Sequence, residues 1–116
     1  MIDGAHATTD AKNLAAYLKK IKLPKYGIWA MTKNKEPDLF IKQLKGVFKK
    51  IVTMPIENEI NSVSAKVLYK IASKNKFKVE KSKNFMEALN KISNREKKLI
   101  VCFGSLYNCG NILNKN

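Results

Sequence analysis

Near the start of the chain, Asp3-Gly4-Ala5-His6 places an acid and the only histidine three positions apart around a glycine. The carboxylate of Asp3 suits hydrogen bonds from a ribose hydroxyl or a substrate amine. The imidazole of His6 titrates near neutral pH, so it can bind an anion or shuttle a proton. The same residues also read as a helix-capping acid and an exposed turn histidine, and spacing alone does not separate the two. Near the other end, Gly104-Ser105-Leu106-Tyr107 puts a hydroxyl just ahead of an expected short helix, whose first N–H groups favour an anion. The plain alternative is a serine N-cap. No glycine elbow surrounds Ser105, which counts against a nucleophile. Lys33 and Lys35 offer cations to a phosphate or carboxylate, although lysine is abundant throughout. The 116 residues contain no Gly-rich P-loop, and their nine acids are too few for a two-metal cluster.

These residues need elements to hold them, and the hydrophobic spacing supplies a regular series. Met1-Ile2 reads as the stub of a strand. Residues 10–20 read as a helix with Ala11, Leu14, Ala15 and Leu18 on one face, capped by Thr8, Thr9 or Asp10. The apolar run 26–31 suits a buried strand. A second helix carries Leu39, Phe40, Gln43 and Leu44 and ends at Gly46. Residues 51–54 form a third strand, and Ser62 caps a third helix over 63–73. Residues 77–79 form a short strand, Ser82 or Asn84 caps a fourth helix, and 98–103 form the last strand before a helix over 106–113. This alternation implies a mostly parallel sheet with helices on both faces. Ligands bind beyond the carboxyl ends of such strands, so the loops at 3–9, 32–37, 54–61 and 104–108 are the expected site.

Composition sets bounds on the partners. The chain has a formal net charge of +14, from 23 basic residues against nine acids. Only Arg95 is an arginine, and lysine lacks the planar fork used for base readout and bidentate phosphate contacts. Lys, Asn and Ile make up 45 of the 116 residues. All three have AT-rich codons, so coding bias is the simpler source of the charge, and nucleic acid is not the expected partner. No apolar stretch approaches the roughly 20 residues of a membrane span. The N-terminus shows no signal-type apolar core, and a cytoplasmic location is expected. Cys102 and Cys109 make neither a disulfide framework nor a metal pattern, and no metal ligands are expected.

Taken in order, several segments resemble the C-terminal domain of folylpolyglutamate synthase/dihydrofolate synthase, of the Mur ligase family. Ile2-Asp3-Gly4-Ala5-His6 with the helix AKNLAAYL is similar to that domain's opening DGAHN-type loop and alanine-rich helix. Trp29-Ala30-Met31-Thr32-Lys33-Asn34-Lys35-Glu36 resembles its second strand and Lys-Asp turn. Met54-Pro55-Ile56, Asn84-Phe85-Met86-Glu87-Ala88-Leu89 and Phe103-Gly104-Ser105-Leu106-Tyr107 resemble its third-strand loop, its EAL helix and its closing GS-x-Y turn. The likeness runs over essentially the whole chain.

The resemblance implies a Rossmann-like α/β fold, Mur ligase C-terminal domain-like, for residues 1–116 as a single domain. It also implies ligase chemistry, in which ATP and Mg2+ activate a folate or dihydropteroate carboxylate as an acyl phosphate and the amine of L-glutamate attacks. By the same resemblance, Asp3 contacts the ATP ribose, His6 stands at the reacting end of an interdomain cleft, and Ser105 lines that cleft as a substrate contact. The family's P-loop and metal site belong to an N-terminal ATPase domain, which these residues do not include, so independent catalysis is not expected. A separately encoded N-terminal half is one expected partner. The family's Asn-Pro after the histidine is Ala7-Thr8 in this chain. The first strand is expected to be central and truncated to Met1-Ile2, as in a remnant or one half of a split gene. The alternatives are a non-catalytic decayed fragment and a small Lys-rich nucleic-acid-binding domain.

Overall fold

The structure, a computed structural model, describes residues 7–93 and 96–104. Its elements alternate as the spacing predicts. Helix α1 spans Ala7–Lys19, strand β1 Lys25–Ala30, helix α2 Pro37–Lys42 and strand β2 Lys50–Thr53. Helix α3 spans Ala65–Lys74, strand β3 Val79–Lys81, helix α4 Phe85–Ile92 and strand β4 Leu99–Gly104. The four strands form one parallel sheet in the order β3-β2-β1-β4.

Side chains alternate across this sheet with the period of two that a strand imposes. From β1, Trp29 joins Ile51, Val101 and Phe103 on one face, under α1, α2 and α3. Tyr26, Ile28 and Ala30 join Val52 and Ile100 on the other, against Ala88 and Ile92 of α4. Both faces of the sheet are therefore covered, which explains why β1, β2 and β4 read as unbroken apolar runs.

On the first face four rings lie nearly parallel. Phe103 stacks on Phe48 at 4.9 Å between centroids, on Phe40 at 6.1 Å and on Trp29 at 6.2 Å. Gly27 makes room for this stack. A Cβ at that position would stand 2.5 Å from Phe103 Cε1 and 3.1 Å from Phe48 Cε1.

Several expectations are corrected. Each described strand is hydrogen-bonded directly to its neighbours, and β1 lies between β2 and β4. Met1-Ile2 and the helix expected at 106–113 lie outside the described residues. Helix α1 begins at Ala7, so Thr8, Thr9 and Asp10 are inside it rather than capping it. In α2, Leu39 is exposed, and Ile41 is buried with Phe40. Strand β3 begins two residues later than expected. The N–H of Phe77 donates to Ala72 O at 3.0 Å, which keeps it in the turn that ends α3. The α3 cap is Ser64, whose hydroxyl accepts from Val67 N at 3.1 Å. For α4, Asn84 is the cap, accepting from Glu87 N at 2.9 Å. Ser82 instead donates to Thr53 O at 3.0 Å, joining the β3–α4 turn to β2.

Candidate active-site edge

All four strands point the same way, so the loops that follow them gather at one edge. Three of these loops are described in full, and those after β1 and β2 are tied to each other. After β1 the chain stays extended through Thr32, then forms a single 3-10 turn over Lys33–Lys35. The Thr32 hydroxyl donates to Asn34 Oδ1 at 2.7 Å, holding the turn locally. Glu36 takes a left-handed conformation (φ 54°), which redirects the chain into Pro37 at the first turn of α2.

The loop after β2 folds back over this turn. Thr32 and Ser62 form an antiparallel bridge. Lys33 N donates to Asn61 O at 2.9 Å, and Val63 N donates to Met31 O at 2.9 Å. The Ser62 hydroxyl accepts from Ile56 N at 2.8 Å and donates to Val63 O at 3.1 Å, closing the loop on itself. Ser62 was the expected cap of α3; its hydroxyl is committed to this loop, which leaves the cap to Ser64. Thr53, at the end of β2, donates to Ala65 O at 2.9 Å and fixes where α3 starts. The edge is thus a braced rim.

At the end of β4, Gly104 has φ +100°, and a Cβ added there would lie 2.0 Å from Ala30 O and 3.0 Å from Trp29 Cδ1. Only glycine fits this close approach of β4 to β1. Beside it lies Trp29, fully buried, whose Nε1 finds no acceptor among the described residues. A buried indole N–H without a partner costs about 1–3 kcal/mol. Nothing in the sequence marks this donor, because Trp29 reads simply as an apolar strand residue.

Asp3, His6 and Ser105 lie outside the described residues. Their chain neighbours are described: Ala7 is the first residue of α1, and Gly104 is the last of β4. Lys33 and Lys35 both lie in the 3-10 turn after β1, on the expected edge. Among the described residues, no three His, Cys, Asp or Glu side chains come together to hold a metal ion.

Two carboxylates with shifted acidity, Glu96 and Glu80, lie away from this edge. Glu96, ahead of β4, accepts from the Tyr26 hydroxyl at 2.8 Å and from Lys49 Nζ at 3.1 Å. These two bonds hold its carboxyl below the usual range, the tyrosine contributing most. Glu80 in β3 pairs with Lys50 and, at 3.5 Å, with Lys91, and the Lys50 hydrogen bond lowers it most.

The fold and its braced edge define an α/β domain of the doubly wound, ligand-at-the-carboxyl-edge class. The sequence profile of the dihydrofolate synthetase C-terminal domain matches residues 1–115, and the chain belongs to that family. Solved structures agree on the fold. A Mycobacterium tuberculosis folylpolyglutamate synthase complexed with ADP and AMPPCP aligns with a TM-score of 0.72 and 19% identity, over 88% of this chain and 26% of that one. A bifunctional folylpolyglutamate synthase/dihydrofolate synthase from Yersinia pestis, complexed with AMPPNP and a Mn ion, aligns at 0.67 and 18% identity, over 90% and 25%. The Helicobacter pylori folylpolyglutamate synthetase aligns at 0.65 and 22% identity, over 90% and 25%. The chain thus spans about a quarter of the length of these proteins. No curated protein sequence matches it. No helix among the described residues is long and apolar enough to cross a membrane.

Proposed function

We propose that this chain serves as the C-terminal domain of an ATP-dependent folylpolyglutamate synthase/dihydrofolate synthase. In that role it joins L-glutamate to a folate or dihydropteroate carboxylate together with an ATPase domain, wherever that domain is encoded. The observation that carries this reading is the family match across residues 1–115, which takes in Asp3, His6 and Ser105 at its two ends. The parallel sheet supports it, because the loops at 32–36 and 54–63 gather on the edge where such a domain meets its ligands.

In this reading Asp3 accepts hydrogen bonds from the ATP ribose. Bound nucleotide and metal supply activation of the carboxylate, and both are held chiefly by the ATPase domain. His6 binds or relays a proton at the reacting end of the cleft, where the amine of glutamate must lose one as it attacks. Ser105 offers a hydroxyl to the substrate. The chain alone lacks the phosphate-positioning loop, so its own ligase rate is expected to be negligible.

The test mixes this chain with the isolated ATPase domain of a homologous enzyme and follows ATP-dependent incorporation of glutamate into dihydropteroate and folate. Activity that needs both components is expected, with a fall of roughly 100-fold for His6→Ala, in the usual range for losing a general acid–base group. If the mixture is inactive with ATPase domains from several homologues, the chain is a non-catalytic remnant. If His6→Ala is fully active, His6 has no part in the reaction.

A further inference from the structure

The parallel sheet has a second edge, where the four strands begin, and the charge on it is not what compositional drift predicts. Ahead of β1 lie the exposed lysines Lys20 and Lys22, and ahead of β2 lies Lys45. Lys76 and Lys78 precede β3, and Lys97 precedes β4; all are exposed. None of these six takes part in an ion pair among the described residues. The carboxylates near this edge are already engaged, Glu96 by Tyr26 and Lys49, and Glu80 by Lys50 and Lys91. At its rim, Asp38 accepts from Asn75 and pairs with Lys42.

The carboxyl edge is close to balanced. Glu36, Glu57, Glu59 and Glu87 there face Lys33, Lys35, Lys66, Lys81 and Lys83. Codon bias that filled drifting surface positions with lysine would load both edges alike. At the carboxyl edge acids and lysines are matched, whereas at the amino edge the few carboxylates are engaged by other groups and these six lysines form an uncompensated cationic face among the described residues.

We propose that this amino edge docks single-stranded nucleic acid through its phosphate backbone. Neighbouring strands lie about 4.8 Å apart, so the four strand starts cover roughly 14 Å. Phosphates of an extended single strand lie about 6–7 Å apart, roughly twice the axial rise per strand of a duplex, so that span is a run of about three phosphates. Lysine ammoniums bind phosphate as point charges and do not read base edges, so the binding is indifferent to sequence. One aromatic ring is available for stacking. Tyr17, in the last turn of α1 ahead of Lys20, is 63% exposed. A base stacked on such a ring favours nucleic acid over a polyanion without bases. A membrane surface is disfavoured, because none of the four loops at this edge carries an exposed large aliphatic side chain among the described residues.

The test uses the full chain and fluorescence anisotropy with labelled oligo(dT), titrated between about 50 and 200 mM salt. Three phosphate contacts predict a log–log salt slope of about −2. Two variants of equal net charge locate the site. Lys22→Glu, Lys45→Glu, Lys76→Glu and Lys97→Glu together are expected to weaken binding by about 100-fold and flatten the slope. Lys33→Glu, Lys35→Glu, Lys81→Glu and Lys83→Glu together are expected to change it only a few-fold. If the first set fails to fold, as judged by circular dichroism, the corresponding Lys→Gln set replaces it. Tyr17→Ala is expected to weaken oligo(dT) binding by about 5-fold or more, with no change in the salt slope. Equal losses from the two charge sets would overturn the proposal, since net charge alone would then explain binding. So would displacement of oligo(dT) by poly-glutamate at matched charge, which would point to an acidic protein partner.

Discussion

Gly27 and Phe103 lie in hydrogen-bonded neighbouring strands, and the missing side chain of one is the space occupied by the ring of the other. An added Cβ would stand 2.5 Å from Phe103 Cε1, inside any normal carbon contact. Phe103 is itself pinned between Phe48, Phe40 and Trp29, so it has little freedom to yield. Overpacking of this kind costs about 1–3 kcal/mol. Gly27→Ala is therefore expected to lower the unfolding free energy by that amount, read as a lower urea midpoint with an unchanged m-value. A variant as stable as the parent would show that the ring stack can rearrange.

Gly104→Ala is expected to be worse. It combines φ +100° with a Cβ 2.0 Å from a backbone oxygen, Ala30 O, which cannot swing aside as a ring can. A loss of about 3 kcal/mol or more is expected from strain and clash together. The same change displaces the residue that leads into Ser105, so activity in the reconstituted ligase should fall further than the loss of folded protein explains. Thermal melts set beside activity per folded molecule separate the two effects.

Capping offers a cleaner local test. Ser64→Ala and Asn84→Ala each remove a side-chain acceptor for a first-turn N–H, from Val67 and Glu87 respectively. Each should cost about 1 kcal/mol. Asn84→Asp keeps the acceptor and should retain most of the stability. By contrast, Ser62→Ala should leave α3 intact and loosen the 54–63 loop, seen as faster amide exchange at Ile56.

Acid should destabilise the fold through its few engaged carboxylates. Glu96, Glu80 and Asp38 are each held below their ordinary range, by the Tyr26, Lys50 and Asn75 hydrogen bonds respectively as the leading causes. A depressed carboxylate contributes stability that is fully present above its unfolded pKa and is lost as pH falls through the folded value. Urea midpoints should therefore be flat near neutrality and decline below about pH 4.5, the upper end of the unfolded carboxylate range. Glu96→Gln should make that decline shallower. Lys49 is raised, chiefly by its hydrogen bond to Glu96. Its share is present below the ordinary lysine pKa and is lost as pH rises through the folded value. An acid limb of the same steepness in Glu96→Gln would show that the contact adds nothing.

Much of the fold was legible because its information is local. The run 26–31 is apolar and β1 covers Lys25–Ala30; the run 98–103 is apolar and β4 covers Leu99–Gly104. Strand β3 was less legible. Its three residues are only half-buried or exposed, so no apolar run marks them, and Phe77 drew the expected strand two positions early. The loops at 32–37 and 54–61 were placed on the ligand edge by topology alone, and the described structure has them there, bridged through Thr32 and Ser62. Asp3, His6 and Ser105 rest on the resemblance and on the family match, since they lie outside the described residues.

By itself the sequence determined the alternation of helix and strand, the parallel sheet that follows from it, and the family to which the domain belongs. Each rests on spacing or motif within a short window. The tertiary structure decided what depends on residues far apart in the chain. It chose Ser64 over Ser62 as a cap, because the loop claims the Ser62 hydroxyl. It made glycine necessary at position 27, because Phe48 and Phe103 fill the space beside it. It also changed the meaning of the charge. Read along the chain, the lysines look evenly scattered, one or two in every segment. A parallel sheet brings every strand start to one edge and every strand end to the other, and only then does the cationic face separate from the edge that carries the ligand loops.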